Sequence, residues 1–315
     1  MALQKITDLD LGFCDVTFAD EGRLLALDAG AGLWHVDLAG GSPLRLGDGE
    51  EIADAALEGF EGTHRRCDVT PRRISWHGGS ATAVVHIDCG GHWLLLRRRD
   101  TGPWRPLLTG SRLVCSPELS WSADGTALAV GIDGVCIMQV RGSGHRADLD
   151  AESWGWTPSG GLLLYRYDGE RWTLCLDPAP MHEPGPHVLG EPHADLEAWG
   201  WPGALIVAAD GRTCTVAFRS KIVRYALPSL SIVHALDVQG VHGLTPSADQ
   251  RRVVVESDGG VQVWDIVAGL PLTGLLPHLR DARVSPSGRH LAFRTRTPAA
   301  VHPVAEPGWS IWRLD

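Results

Sequence analysis

DVTFADEGRLLAL (residues 15–27), LSWSADGTALAV (119–130) and ARVSPSGRHLAF (282–293) share one pattern: an apolar run, a polar turn carrying Gly, and a second apolar run. Short runs rich in Val, Leu, Ile and Trp between Gly, Pro, Asp and Ser clusters mark strands, and amphipathic helical periodicity is nearly absent. The Asp-Gly or Ser-Gly turn fits a tight hairpin, because its central positions favour positive φ and Gly accepts that without steric cost. Each stretch therefore reads as two antiparallel strands.

A second half-unit follows the first. VQVWDIVAGLPLTGL (261–275), IVRYALPSLSIVHAL (222–236) and GLWHVDLAGGSPLRL (32–46) align without a gap, each a strand, a short Gly, Ser or Pro turn, and another strand. Together the halves make a four-stranded meander, and its return every 40 to 50 residues predicts a propeller. Inner turns fall at Gly22, Gly79, Gly125, Gly160, Gly211, Asp249 and Gly288, which gives about seven blades. ESWGWTPSGG (152–161) and EAWGWPGA (197–204) repeat one motif, so the second either opens a blade early or forms a long strand leading into ALIVAADGR. The last copy supplies only DARVS, HLAFR and SIWRL, and LQKITDL near the N-terminus can pair as its missing outer strand. That pairing closes the ring and removes an exposed sheet edge. The expected fold is all-β: a single seven-bladed β-propeller over residues 1–315, with four-stranded antiparallel blades, the N-terminal strand completing the last blade, and an insertion at 47–70 between blades 1 and 2.

These repeats resemble the WD40 family over nearly the whole chain. Trp264-Asp265 is a true Trp-Asp pair; Tyr225-Ala226, Val36-Asp37 and Trp312-Arg313 stand at the matching position, and the Gly-His dipeptide of the family is not regularly present. The SPSGRHLAF and WSADGTALAV turns are also similar to those of TolB and of peptidase-associated propellers. Both resemblances imply the same fold.

The 315 residues, 44% hydrophobic, can bury a large core. A formal charge of -10 argues against a nucleic-acid surface, which needs clustered cations, and favours basic partners. Lys occurs only at Lys5 and Lys221 among many Arg, a hint of a GC-rich, bacterial genome. The N-terminus lacks a basic segment followed by an apolar run, and no stretch reaches the length of a membrane span, so a cytoplasmic protein without membrane contact is expected. Cys14, Cys67, Cys89, Cys115, Cys136, Cys175 and Cys214 are scattered without a C-x-x-C pair, and most sit in apolar runs where a free thiol acts as a small core side chain.

No G-x-S-x-G elbow, H-E-x-x-H helix, P-loop or G-x-G-x-x-G turn opening a helix occurs. His182, Glu183, His187, Glu191 and His193 are candidate metal ligands by type, yet Pro184, Pro186 and Pro192 exclude a helical face that would converge them. Trp76, Trp121, Trp156 and Trp201 recur near the ends of inner strands and are expected to pack between blades. Glu152 and Glu197 precede the two WGW motifs at the mouth of the channel, where paired carboxylates could hold a cation or a basic side chain. Arg97, Arg98 and Arg99 read as exposed turn charges.

The long connections at 47–70 and 295–307 fall on one face, because outer-to-inner connections and those between second and third strands open on the same side of such a ring. Long loops in a compact domain are often functional. Glu50, Glu51, Glu58, Phe60, Glu61, Arg65, Arg66, His302 and Glu306 are thus the candidate partner-binding residues. The expected role is a non-catalytic scaffold for another protein, or a subunit of a larger complex, without a cofactor. The alternative is a hydrolase, a lyase or a small-molecule-binding propeller with its site in the central channel.

Overall fold

The computed structural model describes residues 3–9, 12–59, 69–89, 92–99, 101–111, 118–131, 135–139, 145–149, 151–178, 180, 186–295 and 308–315. Strand β1 (Leu3–Leu9) leaves the N-terminus for the last blade. Blade 1 is β2 (Phe13–Phe18), β3 (Arg23–Asp28), β4 (Leu33–Asp37) and β5 (Leu44–Gly47), and helix α1 (Gly49–Gly59) follows it. Blade 2 is β6 (Val69–His77), β7 (Thr82–Cys89), β8 (His92–Arg99) and β9 (Arg105–Ser111). Blade 3 is β10 (Glu118–Trp121), β11 (Ala127–Gly131), β12 (Val135–Gln139) and β13 (His145–Leu149). Blade 4 is β14 (Ser153–Trp156), β15 (Leu162–Tyr167), β16 (Trp172–Asp177) and β17 (His187–Gly190), with the single turn α2 (Leu196–Trp199) after it. Blade 5 is β18 (Pro202–Val207), β19 (Thr213–Phe218), β20 (Lys221–Ala226) and β21 (Ile232–Asp237). Blade 6 is β22 (Val241–Pro246), β23 (Arg252–Ser257), β24 (Gly260–Asp265) and β25 (Leu270–Pro271). Blade 7 is β26 (Leu279–Val284), β27 (His290–Thr295) and β28 (Trp309–Leu314), completed by β1.

Seven four-stranded antiparallel sheets result, and the inner strands neighbour one another around a ring. The ring closes where β1 pairs with β28, from Leu3 opposite Leu314 to Leu9 opposite Trp309. All seven inner turns lie where the sequence places them. A hydroxyl leads four of them: Ser122, Thr157, Ser247 and Ser285 each accept from a backbone N–H across the turn, at 2.9 to 3.1 Å. The left-handed position is Gly125, Gly160, Gly211 or Gly288 in four blades and Gln250 in the sixth.

The core lies between blades rather than within them. Blades 7 and 1 share Trp309, Ile311, Phe13, Val16 and Leu24, while blades 4 and 5 share Tyr165, Leu174, Phe218, Val223 and Tyr225. Of the described cysteines, Cys89, Cys175 and Cys214 are buried and Cys14 partly so, all as free thiols. Burial pushes the Cys14 and Cys214 thiols up to about 12, which keeps them unreactive.

Two expectations need correction. The insertion at 47–70 is not only loop: GEEIADAALEG folds as α1, with Ile52, Ala55 and Ala56 at helical spacing buried against Leu33, Leu94 and Leu96. Glu50 and Glu51 occupy its first turn, where the helix dipole favours carboxylates. Gly49 is required there, since a Cβ would meet the Gly30 carbonyl oxygen at 1.9 Å. The second correction concerns EAWGW, which is not a copy of the strand ESWGW. Asp195 caps α2 by accepting from the Ala198 N–H at 3.2 Å, and β18 begins only at Pro202. Trp201 is therefore left 64% exposed, whereas Trp156 is buried and Trp121 donates to the Ser75 hydroxyl across the blade boundary at 2.9 Å.

Candidate functional site

Inner strands supply the channel wall. Each runs into a turn-leading residue, Ala19, His77, Ser122, Thr157, Ala208, Ser247 or Ser285, and counting back four positions gives one equivalent residue per blade: Asp15, Arg73, Glu118, Ser153, Ala204, Gly243 and Asp281. Blades 7, 1, 2 and 3 thus carry charges at this level, and blades 4, 5 and 6 carry small neutral residues. The wall is polarised.

Bulges aim these residues. The register of the inner strand shifts between Phe13 and Asp15, Pro71 and Arg73, Pro202 and Ala204, Val241 and Gly243, and Arg280 and Arg283. In blade 7 the bulge frees two N–H groups, of Asp281 and Ala282, and the Glu256 carboxylate accepts both at 2.8 and 3.0 Å. Asp15, buried, accepts from the Arg283 guanidinium at 2.7 Å and from the Ile74 N–H at 2.9 Å, so one carboxylate ties blades 7, 1 and 2.

Arg73 and Glu118 face the lumen. Burial lowers the Arg73 guanidinium, Arg283 lowers it further, and Asp15, Glu118 and Asp281 act against both. Burial raises the Glu118 carboxyl despite the attraction of Arg73. Its side chain is wetted by the channel yet surrounded by protein, and among the described residues it has no hydrogen-bond or ion-pair partner.

The lumen holds two joined cavities. One of about 460 Å³ is bounded by Arg73, Glu118, His242, Glu256, Asp281 and Arg283. The other, about 570 Å³, lies toward the inner turns against Trp121, Trp154, Trp156, Leu205, Ile206 and Val207. Glu118, Ser120, Ala204, Leu244 and Pro246 border both. The channel is charged at one end and aromatic at the other.

The residues singled out from sequence lie elsewhere. Glu152 is exposed just before β14, Glu197 is exposed on α2, and neither borders the lumen cavities. His187 is exposed on β17, Glu191 pairs with Arg171, and His193 stacks edge-on against Trp199 with ring centres 6.0 Å apart. Among the described residues no three His, Cys, Asp or Glu side chains come together as a metal site, and His182 and Glu183 lie outside them. Glu50, Glu51 and Glu58 are exposed on α1, with Glu51 3.5 Å from Arg98. Phe60, Glu61, Arg65, Arg66, His302 and Glu306 lie outside the described residues. Glu118 was legible through the turn count, which pure motif reading does not make.

Comparison with known proteins places this geometry. No protein-family model matches the chain, and no curated protein does. Among solved structures, the β-propeller domain of Cps50 (Swd1) from Myceliophteria thermophila matches across 100% of both chains, with a TM-score of 0.62 at 14% identity. The fold is a seven-bladed β-propeller. Kuenenia stuttgartiensis hydrazine synthase also aligns, over 60% of this chain with a TM-score of 0.44 at 21% identity, and the propeller spans 57% of that chain. No helix among the described residues is long and apolar enough to cross a membrane.

Proposed function

We propose that this propeller is a non-catalytic scaffold, acting in the cytoplasm, that receives a basic segment of a partner protein at the charged end of its channel. Glu118 carries the reading. Its carboxylate is exposed where it borders both cavities and has no hydrogen-bond or ion-pair partner among the described residues, so a Lys or Arg side chain entering the lumen would meet it in a charge-assisted hydrogen bond. The formal charge of -10 favours approach of such a segment. The Arg73 guanidinium beside Glu118 would donate to a backbone carbonyl or a carboxylate of the same segment.

Selection of a displayed peptide library against the immobilised protein tests this. Lys- or Arg-bearing sequences are expected to enrich, and Glu118→Gln is expected to weaken them about tenfold, the worth of one hydrogen bond to a charged group. Enrichment without basic residues, or binding indifferent to Glu118→Gln, would overturn the proposal.

The joined cavities favour a second reading, a small ligand with a cationic head at Glu118 and an aromatic or aliphatic body against Trp121 and Trp154. Native mass spectrometry of protein purified from its own cells separates the two: a retained small molecule supports this reading, and an empty chain that binds the peptides supports the first.

A further inference from the structure

Among the described residues, four tryptophans are covered by one of the chain's own cations. The Arg45 guanidinium lies 5.6 Å from the Trp34 ring centre, Arg98 lies 5.8 Å from Trp104, the Lys221 ammonium 5.4 Å from Trp199, and Arg283 5.6 Å from Trp309. A cation over an indole face is attracted by the negative face of the ring. The exposed aromatic rings among the described residues, Tyr167 and Trp201 on either side of Trp172, have no such partner.

Their geometry follows from the blade 4 hairpin and the approach to blade 5. Tyr167 ends β15, Trp172 begins β16 directly opposite, and Trp201 stands just ahead of β18 because α2 has turned the chain. Trp172 is half-buried and stacks on Tyr165 at 5.2 Å, which fixes it. Tyr167 lies 5.2 Å from Trp172 at 37°, and Trp201 meets Trp172 at 5.4 Å and 88°. Tyr167 and Trp201 are 41% and 64% exposed. The three rings form an open corner on the face that also carries α1.

We infer that this corner is a docking point for a Lys or Arg side chain of the partner's basic segment. Two properties select that occupant. Tyr167 and Trp201 are exposed, and the negative face of an exposed aromatic ring attracts a cation. The charge around the corner agrees: Asp168, Glu170, Glu191 and Glu197 are exposed on the same connections, while the nearby cations are engaged, Arg171 by Glu191 and Asp168, Lys221 by Asp237 and the Trp199 ring, and Arg219, beside Gly200, by Asp258 at 4.0 Å. The inference rests on reading the protein as a scaffold for basic segments, and it adds a contact independent of Glu118.

The test uses the full chain and three probes: N-acetyl-arginine amide, a tetra-arginine peptide and cellohexaose. The indole N–H resonance of Trp201, assigned by its loss in Trp201→Ala, is followed in ¹H–¹⁵N spectra. It is expected to shift on titration with both cations and not with the oligosaccharide, and Trp201→Ala is expected to weaken the peptide about threefold to fivefold, the worth of one exposed cation–π contact. Trp201 is exposed, so its loss leaves the fold intact, and an unchanged melting temperature checks this. A shift with cellohexaose alone, or none with any probe, overturns the inference. Glu118→Gln separates the two sites. A Trp201 shift that persists in that variant while its peptide affinity equals wild type removes the channel site and keeps this one. Peptide binding lost in Glu118→Gln but unaltered in Trp201→Ala does the reverse.

Discussion

Arg283 of blade 7 donates to the Asp15 carboxylate of blade 1 at 2.7 Å, and its Nε donates to the Val16 carbonyl at 3.1 Å. Asp15 is only 3% exposed, so either side chain alone would leave a charge among protein atoms without its partner. Asp15→Ala should therefore lower unfolding stability by about 3 kcal/mol in urea. Arg283→Ala should cost less, because the Ile74 N–H still holds Asp15. In the double variant the losses should fall short of their sum by at least about 1 kcal/mol. Strict additivity would remove the pair as a coupling between blades.

Ring closure depends on seven residues far from the C-terminus in sequence. β1 covers the edge of β28, and Leu9 packs with Trp309 in the core between blades 7 and 1. Removing residues 1–10 exposes that edge and uncovers those side chains, and should lower the melting temperature by about 5–10 °C. A synthetic peptide of the missing residues should restore much of the loss when added in trans. A truncated chain that melts like the full one would mean the ring closes without this strand.

Much of this architecture could be read from period-two alternation and turn chemistry, because each blade repeats the same local problem of joining two strands tightly. LQKITDL was legible as the closing strand for the same reason: three strands in the last copy leave one place empty. α1 was not, since its four core-facing small and apolar residues, Gly49, Ile52, Ala55 and Ala56, sit in one acidic segment with no second turn of strong hydrophobes. EAWGW misled because nearly identical letters fold differently: Asp195 caps α2 by accepting from the Ala198 N–H, whereas ESWGW runs into strand β14. Glu118 went unnoticed for another reason. Its significance comes from blade 2 placing Arg73 nearby and from its position bordering both cavities, a relation no local motif encodes.

Helix α1 should behave as part of the wall of blade 2 rather than as a detachable loop. Ile52 is fully buried against Leu94 and Leu96. Ile52→Ala should cost about 2–4 kcal/mol, and Glu58→Ala, at an exposed position, less than about 0.5 kcal/mol. Equal effects in a denaturant titration would show that α1 does not pack as described.

His86 on β7 gives the fold an acid-sensitive point. It is 1% exposed, and burial holds its imidazole down at about 4, with Asp88 at 3.3 Å pulling the other way and Arg73 and Arg72 adding to the depression. The unfolded chain takes up a proton near the ordinary value of 6.5, while the folded chain does so only near 4. Stability is therefore full above pH 6.5 and falls as the pH drops toward 4, by up to about 3 kcal/mol. His86→Gln should flatten that part of the pH profile of urea midpoints. A profile of unchanged slope would assign the acid sensitivity to other groups.

Glu118 has the opposite sign. Its carboxyl is raised by burial, so the folded chain holds this proton at a pH where the unfolded chain has lost it. Stability is then fully present below the ordinary carboxylate range and declines as the pH rises through the raised value, which leaves a penalty at pH 7. Glu118→Gln removes the charge and should raise the melting temperature slightly at pH 7, with no gain at pH 4. The same substitution is expected to weaken basic peptides, so stability and binding should move in opposite directions. A residue that merely supports the wall would lose stability at both pH values when replaced, and that outcome would remove Glu118 from the binding site.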